Sequence, residues 1–201
     1  TSGSMHGEPI EAVKNGVQTL LTTLKQDPYA LETAYVSVIT FDSSARQAVP
    51  LTDLLSFQIP ALTASGTTSL GEALTLTASS IAKEVQKTTA DTKGDWRPLV
   101  FLMTDGSPND DWRKGLNDFK AARTGVVVAC AAGHDADTSV LKEITEIVVQ
   151  LDTADSSTIK AFFKWVSASI SVGSQKVESS KKEVIGLEDL PPPPPEVNVV
   201  L

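Results

Sequence analysis

The chain predicts an α/β fold: a doubly wound, mainly parallel sheet with helices on both faces. Three observations carry this. Strand-like and helix-like segments alternate along the chain. Residues 99–103, Leu-Val-Phe-Leu-Met, are apolar without alternation, as in a strand covered on both faces. Hydroxyl and carboxylate residues stand at strand ends, where such sheets gather their ligand-binding loops.

Residues 8–26 read as an amphipathic helix. Ile10, Val13, Val17, Leu20, Leu21 and Leu24 recur at helical spacing, and Pro9 sits in a first turn that tolerates it. Residues 34–41 are β-branched and aromatic and read as a strand. A weaker strand at 45–50 follows a turn at Asp42-Ser43-Ser44, and Pro50 stops it or confines it to an edge. A second helix begins near Ser69, where Ser69 and Glu72 have capping-box spacing, with Leu70, Leu74, Ile81 and Val85 as its apolar stripe.

Residues 87–97 are polar and turn-like, and the buried strand 99–103 follows. Trp112, Leu116, Phe119 and Ala122 mark a third helix, with Asn109, Asp110 and Asp111 as capping candidates. Residues 126–132 form another buried strand ended by Gly133. A short helix at 141–144 follows Asp137-Thr138, and 147–151 is a short last strand. Ile159, Phe162, Phe163, Val166 and Ile170 mark a closing helix.

The end of the chain differs. Residues 171–190 are rich in Ser, Lys and Glu and lack a core pattern, and 191–195 are five prolines that favour polyproline II. A strand-like peptide from Glu196 to Leu201 closes the chain. It reads as a disordered terminus or as a docking peptide on a stiff spacer, added to a sheet edge or offered to a proline-reading partner. The predicted division is a domain over 1–171 and a flexible tail over 172–201.

Composition narrows the function. A length of 201 residues supports a core without disulfides or zinc, and the single Cys excludes a disulfide framework and a multi-cysteine zinc site. One Cys also fits a reducing compartment. A net charge of −8 argues against a general nucleic-acid binder. No apolar run approaches the ~18 residues of a membrane span, and no signal peptide is recognisable. Dinucleotide, P-loop and nucleophile-elbow motifs are absent from the sequence. His134 reads as a loop histidine at a strand end, and Cys130 as a small buried hydrophobe.

What remains is a set of oxygen ligands. Ser2 and Ser4 precede the first helix, Thr68 precedes the second, and Asp105 follows the strand 99–103. Thr67 is the alternative to Thr68. Three hydroxyls and one carboxylate suit Mg2+ or Mn2+ rather than zinc. A single carboxylate leaves the dication under-neutralised, which favours capture of an acidic ligand. Taken singly, each residue is an ordinary helix cap or turn residue. Two other readings compete. A metal-dependent phosphatase or hydrolase needs further carboxylates, for which Asp110 and Asp111 are candidates. A kinase substrate acting as a phospho-switch would use Ser174, Ser179 or Ser180 in the tail.

The joint pattern of Ser2, Ser4, Thr68 in Gly66-Thr67-Thr68-Ser69-Leu70-Gly71, and Asp105 in Met103-Thr104-Asp105-Gly106 resembles the von Willebrand factor A family and its metal-ion-dependent adhesion site. Residues 7–16, 27–34, 94–98 and the proline-rich end look like the bacterial TerY-type proteins of tellurite-resistance loci. The resemblance implies a cytoplasmic, non-enzymatic binding protein that partners a Ser/Thr kinase and a PP2C-like phosphatase in a stress or defence phosphorylation system.

The resemblance also implies an Asp immediately before Thr1 and a central strand before that. The chain starts at Thr1 rather than Met, so this strand and this Asp are expected to be missing from it. Its loss leaves two interior strand edges unpaired. Each unsatisfied buried backbone group costs on the order of 1–3 kcal/mol, against a total stability of roughly 5–15 kcal/mol. Residues ahead of Thr1, a strand such as 197–201 supplied by the tail or a neighbour, or an opening that is partly a cloning remnant would each account for it.

Overall fold

The computed structural model describes residues 1–133, 136–179 and 189–200. After a 3-10 turn at Gly3–Met5 come α1 (Glu8–Gln26) and α2 (Pro28–Thr33), then β1 (Tyr35–Phe41) and β2 (Ala45–Asp53). The sequence reading did not separate α2. Its signal is Asp27-Pro28: the Asp27 carboxylate accepts from the backbone N–H groups of Tyr29 and Ala30, and Pro28 takes the first helical position. Then follow α3 (Leu70–Glu84), β3 (Val100–Thr104), α4 (Trp112–Ala121), β4 (Val127–Ala132), α5 (Thr138–Ile144), β5 (Val148–Leu151), α6 (Ser156–Ser179) and β6 (Asn198–Val200).

The fold is α/β with a mixed, mostly parallel sheet, as expected. β3, β4 and β5 run parallel, and β6 adds antiparallel to β5. β4 alternates between two cores. Val128, Cys130 and Ala132 face a cluster with Leu20, Leu24 and Phe162 from α1 and α6. Ala129 and Ala131 face Leu70, Leu74, Trp112, Leu116 and Leu141 from α3, α4 and α5. Helices on both faces therefore explain the continuous apolar strands. Cys130 is fully buried, and this burial pushes its thiol pKa far up, as for an inert hydrophobe.

β1 and β2 form a separate antiparallel pair. β2 does not stop at Pro50 but continues to Asp53, because Pro50 falls where the register with β1 shifts and needs no ladder donor there. The next amide, Leu51 N–H, donates to Glu84 Oε2 at the end of α3 (2.7 Å), so the outer edge of β2 is partly closed. The inner edges are different. Among the described residues β1 pairs only with β2, and β3 only with β4. Val36, Val38, Phe101 and Met103 are correspondingly only half-buried, whereas β4 is almost wholly buried.

The expectation for the end of the chain is corrected in two places. α6 does not close near Ile170 but runs to Ser179, and Ser174 is buried rather than displayed. Residues 189–200 pack on the fold: Trp165 Nε1–H donates to the Pro191 carbonyl (2.8 Å), Asp189 pairs with Lys176, and Val197 is buried. Of the tail readings, addition to a sheet edge is the one observed. That edge is β5, at the opposite side of the four-stranded sheet from β3, so the tail pairs with neither β1 nor β3. No helix among the described residues is long and apolar enough to cross a membrane.

Candidate metal centre

The site lies where β1 and β3 end. Thr1 Oγ1 donates to the Phe41 carbonyl at the end of β1 (2.8 Å). Ser65 N–H donates to the Thr1 carbonyl (2.9 Å) and Gly3 N–H to the Gly66 carbonyl (3.1 Å), so the opening residues are stitched to the loop before α3. Gly66 makes this possible. Its φ is 68°, and a Cβ there would lie 2.2 Å from Ser43 Oγ, the atom that accepts from Thr67 N–H.

Ser2 and Ser4 both donate to one oxygen, Asp105 Oδ1, at 3.1 and 2.9 Å, and their hydroxyls lie 3.1 Å from each other. Ser2 and Asp105 are buried, and Ser4 is exposed. Thr68 is buried at the same loop. A Cβ built on Gly106 would come 3.9 Å from Thr68 Oγ1, which puts that hydroxyl beside the segment after Asp105. The Thr68 hydroxyl makes no hydrogen bond among the described residues; its backbone N–H and C=O do. Thr67, the alternative, is exposed and bonded to Ser43.

The donor chemistry fits a hard divalent cation. Every donor is oxygen, one buried carboxylate gathers two hydroxyls, and a third hydroxyl stands by without a partner. Among the described residues no group of three or more His, Cys, Asp or Glu stands together, so the set is hydroxyl-rich. Sequence reasoning passed over Asp42 as a turn residue, yet its carbonyl accepts from Ser69 N–H (2.8 Å), next to Thr68.

The capping expectations change. Ser69 holds the first flanking position of α3, but its side chain makes no cap bond. Asp110 caps α3 instead, from across the site: its two oxygens accept from Gly71 N–H (3.0 Å) and Glu72 N–H (2.9 Å). Asn109 Oδ1 accepts from Thr68 N–H (2.9 Å), and Asn109 N–H donates back to the Thr68 carbonyl (2.9 Å). Asp111 flanks α4 without a side-chain cap bond. His134 and Ser180 lie outside the described residues.

A family model described as von Willebrand factor type A domain matches residues 1–164. Similar solved structures include proximal thread matrix protein 1 from the mussel byssus: 20% identity over 83% of this chain and 45% of that one, with a TM-score of 0.61. Another is a von Willebrand factor type A protein from Catenulispora acidiphila: 18% identity over 85% of this chain and 40% of that one, TM-score 0.60. A third is the mussel protein with a zinc-occupied MIDAS motif: 21% identity over 83% of this chain and 45% of that one, TM-score 0.59. At these identities the likeness is one of fold. The chain spans less than half the length of these structures. No curated protein matches it.

Proposed function

The chain belongs to the von Willebrand factor type A family, and on that premise we propose that it is a metal-dependent protein-binding adaptor whose Ser2, Ser4, Thr68 and Asp105 hold Mg2+ or Mn2+. Bound there, a hard dication supplies local positive charge and open positions for an acidic residue of a partner protein. The observation that carries the reading is the convergence of Ser2 and Ser4 on Asp105 Oδ1 with the uncommitted Thr68 hydroxyl alongside. The three hydroxyls are neutral, so Asp105 alone offsets the ion's charge. On a chain of net charge −8, a positive point at this loop cluster is a local signal that an acidic partner group reads.

An adaptor role suits the family, whose domains in general serve adhesion or adaptor functions. The hydrolase reading asks for a free carboxylate beside the metal. Asp110, its best candidate, has both oxygens engaged by backbone N–H groups of α3. The phospho-switch reading loses Ser174 to burial.

The resemblance of residues 7–16, 27–34 and 94–98 to TerY-type proteins supports a narrower identification. The partners are then a Ser/Thr kinase and a PP2C-like phosphatase in a bacterial, cytoplasmic tellurite-resistance, stress or defence phosphorylation system. Residues 1–171 are read as the domain and 172–201 as an appended segment, of which 172–179 extend α6 and 189–200 pack on the fold. The unpaired inner edges of β1 and β3 support a further strand between them.

The test is capture of the kinase and phosphatase from a TerY-type locus by the tagged chain, with and without EDTA, beside Asp105→Ala. Both EDTA and the substitution are expected to abolish capture. Capture indifferent to both rejects the metal role.

A further inference from the structure

We infer that Asp110, with Asn109, is a positioning residue of the metal site: it fixes the distance between Thr68 and Asp105 by tying the loop after β3 to the first turn of α3. The inference rests on the metal-site reading above.

Thr68 and Asp105 come from segments far apart in the chain. Asp105 follows β3 directly, and Thr68 leads into α3, so no local bond sets their spacing. Four hydrogen bonds do. Asn109 exchanges two with Thr68, and Asp110 accepts two from Gly71 and Glu72. Residues 105–110 and 68–72 thus form one clamped unit. Ser69 supplies no cap of its own, so the α3 terminus depends on Asp110 for its free N–H groups.

Charge and shape favour this arrangement. A carboxylate at a helix N-terminus faces the positive end of the helix dipole. The two segments also touch, because a Cβ on Gly71 would fall 3.0 Å from Asp110 Oδ2 and 2.6 Å from Trp112 Cα. Trp112 is buried against Leu70 and Leu74, which anchors the clamp to the core. Removing the Asp110 carboxylate frees the Gly71 and Glu72 amides and lets Thr68 drift relative to Asp105. Metal affinity falls as a consequence, although Asp110 touches no metal.

Asp118 gives the control. It also joins α4 to α3, accepting from Thr75 Oγ1 at 3.0 Å, but away from the loop. The experiment is Mn2+ titration of the full chain, followed by the loss of free-Mn2+ electron paramagnetic resonance signal. It compares wild type, Asp110→Ala, Asp110→Asn, Asn109→Ala and Asp118→Ala, with circular dichroism reporting fold. Asp110→Ala is expected to weaken Mn2+ binding about 10–100-fold, as loss of a group supporting a metal ligand does. Asp110→Asn, which keeps one acceptor, and Asn109→Ala fall between that and wild type. Asp118→Ala binds like wild type.

Wild-type affinity in both Asp110 variants, or an equal loss in Asp118→Ala, overturns the inference while leaving the metal site standing. A wild-type chain that takes up no Mn2+ overturns both. Should Asp110→Ala unfold, Asp110→Asn and Asn109→Ala carry the comparison.

Discussion

Asp155 shows how much one side chain does at a helix start. It directly precedes α6, and its Oδ1 accepts from Ser157 N–H (2.8 Å) and Thr158 N–H (3.0 Å). The Thr153 hydroxyl and these amides hold its carboxyl well below the usual carboxylate range. A group whose pKa is depressed on folding adds stability above its unfolded pKa and loses it as pH falls through the folded value. Asp155→Ala is therefore expected to cost about 1 kcal/mol at neutral pH. Its difference from wild type should shrink as pH falls below about 4. Urea midpoints of both proteins across that range check it. The same kind of bond links Asp137 to α5, where the sequence pair Asp137-Thr138 announced the helix. Local caps of this kind are readable because donor and acceptor lie within three residues. The Asp110 cap is not, since its partners stand 38 and 39 positions away.

Helices α3 and α4 meet through glycine. A Cβ on Gly115 would lie 2.0 Å from the Gly71 carbonyl oxygen, so the two backbones touch at this point. Gly115→Ala forces the helices apart and is expected to cost at least about 1–3 kcal/mol, as overpacking does, read as a lowered urea midpoint. Because Gly71 also borders the clamp at Asp110, the crossing helps to seat the loop that carries Thr68. Periodicity located both helices, through Leu70 and Leu74 on one and Trp112, Leu116 and Phe119 on the other. It did not show that the glycines between those residues face each other. At the far end, α6 outran its expected boundary because Ser174 packs inward and Trp165 hydrogen-bonds the proline run. Small and polar residues carry no periodic signal, so composition alone read that stretch as a tail.

Across the whole molecule, each of the two sheets has one covered edge and one without a strand partner among the described residues. β6 covers β5, and Pro50 with Glu84 blunts β2, yet the second edges of β1 and β3 have no strand partner among the described residues. Hydrogen–deuterium exchange on this chain should reflect that. Amides of β4, paired on both sides, are expected to exchange slowest, and amides of β1 and β3 that lack ladder partners considerably faster. Uniform protection across β1, β3 and β4 would show that the inner edges are covered in solution.

The sequence by itself determined the α/β class and the order of the main strands and helices, and it proposed Ser2, Ser4, Thr68 and Asp105 as a group of hard oxygen donors. These rest on hydrophobic period and residue chemistry, which are local. Only the tertiary structure decided that Asp110 serves α3 and that the tail closes the β5 edge. Each of those depends on which hydrogen-bonding groups from distant segments meet, and chain folding, not local pattern, sets that.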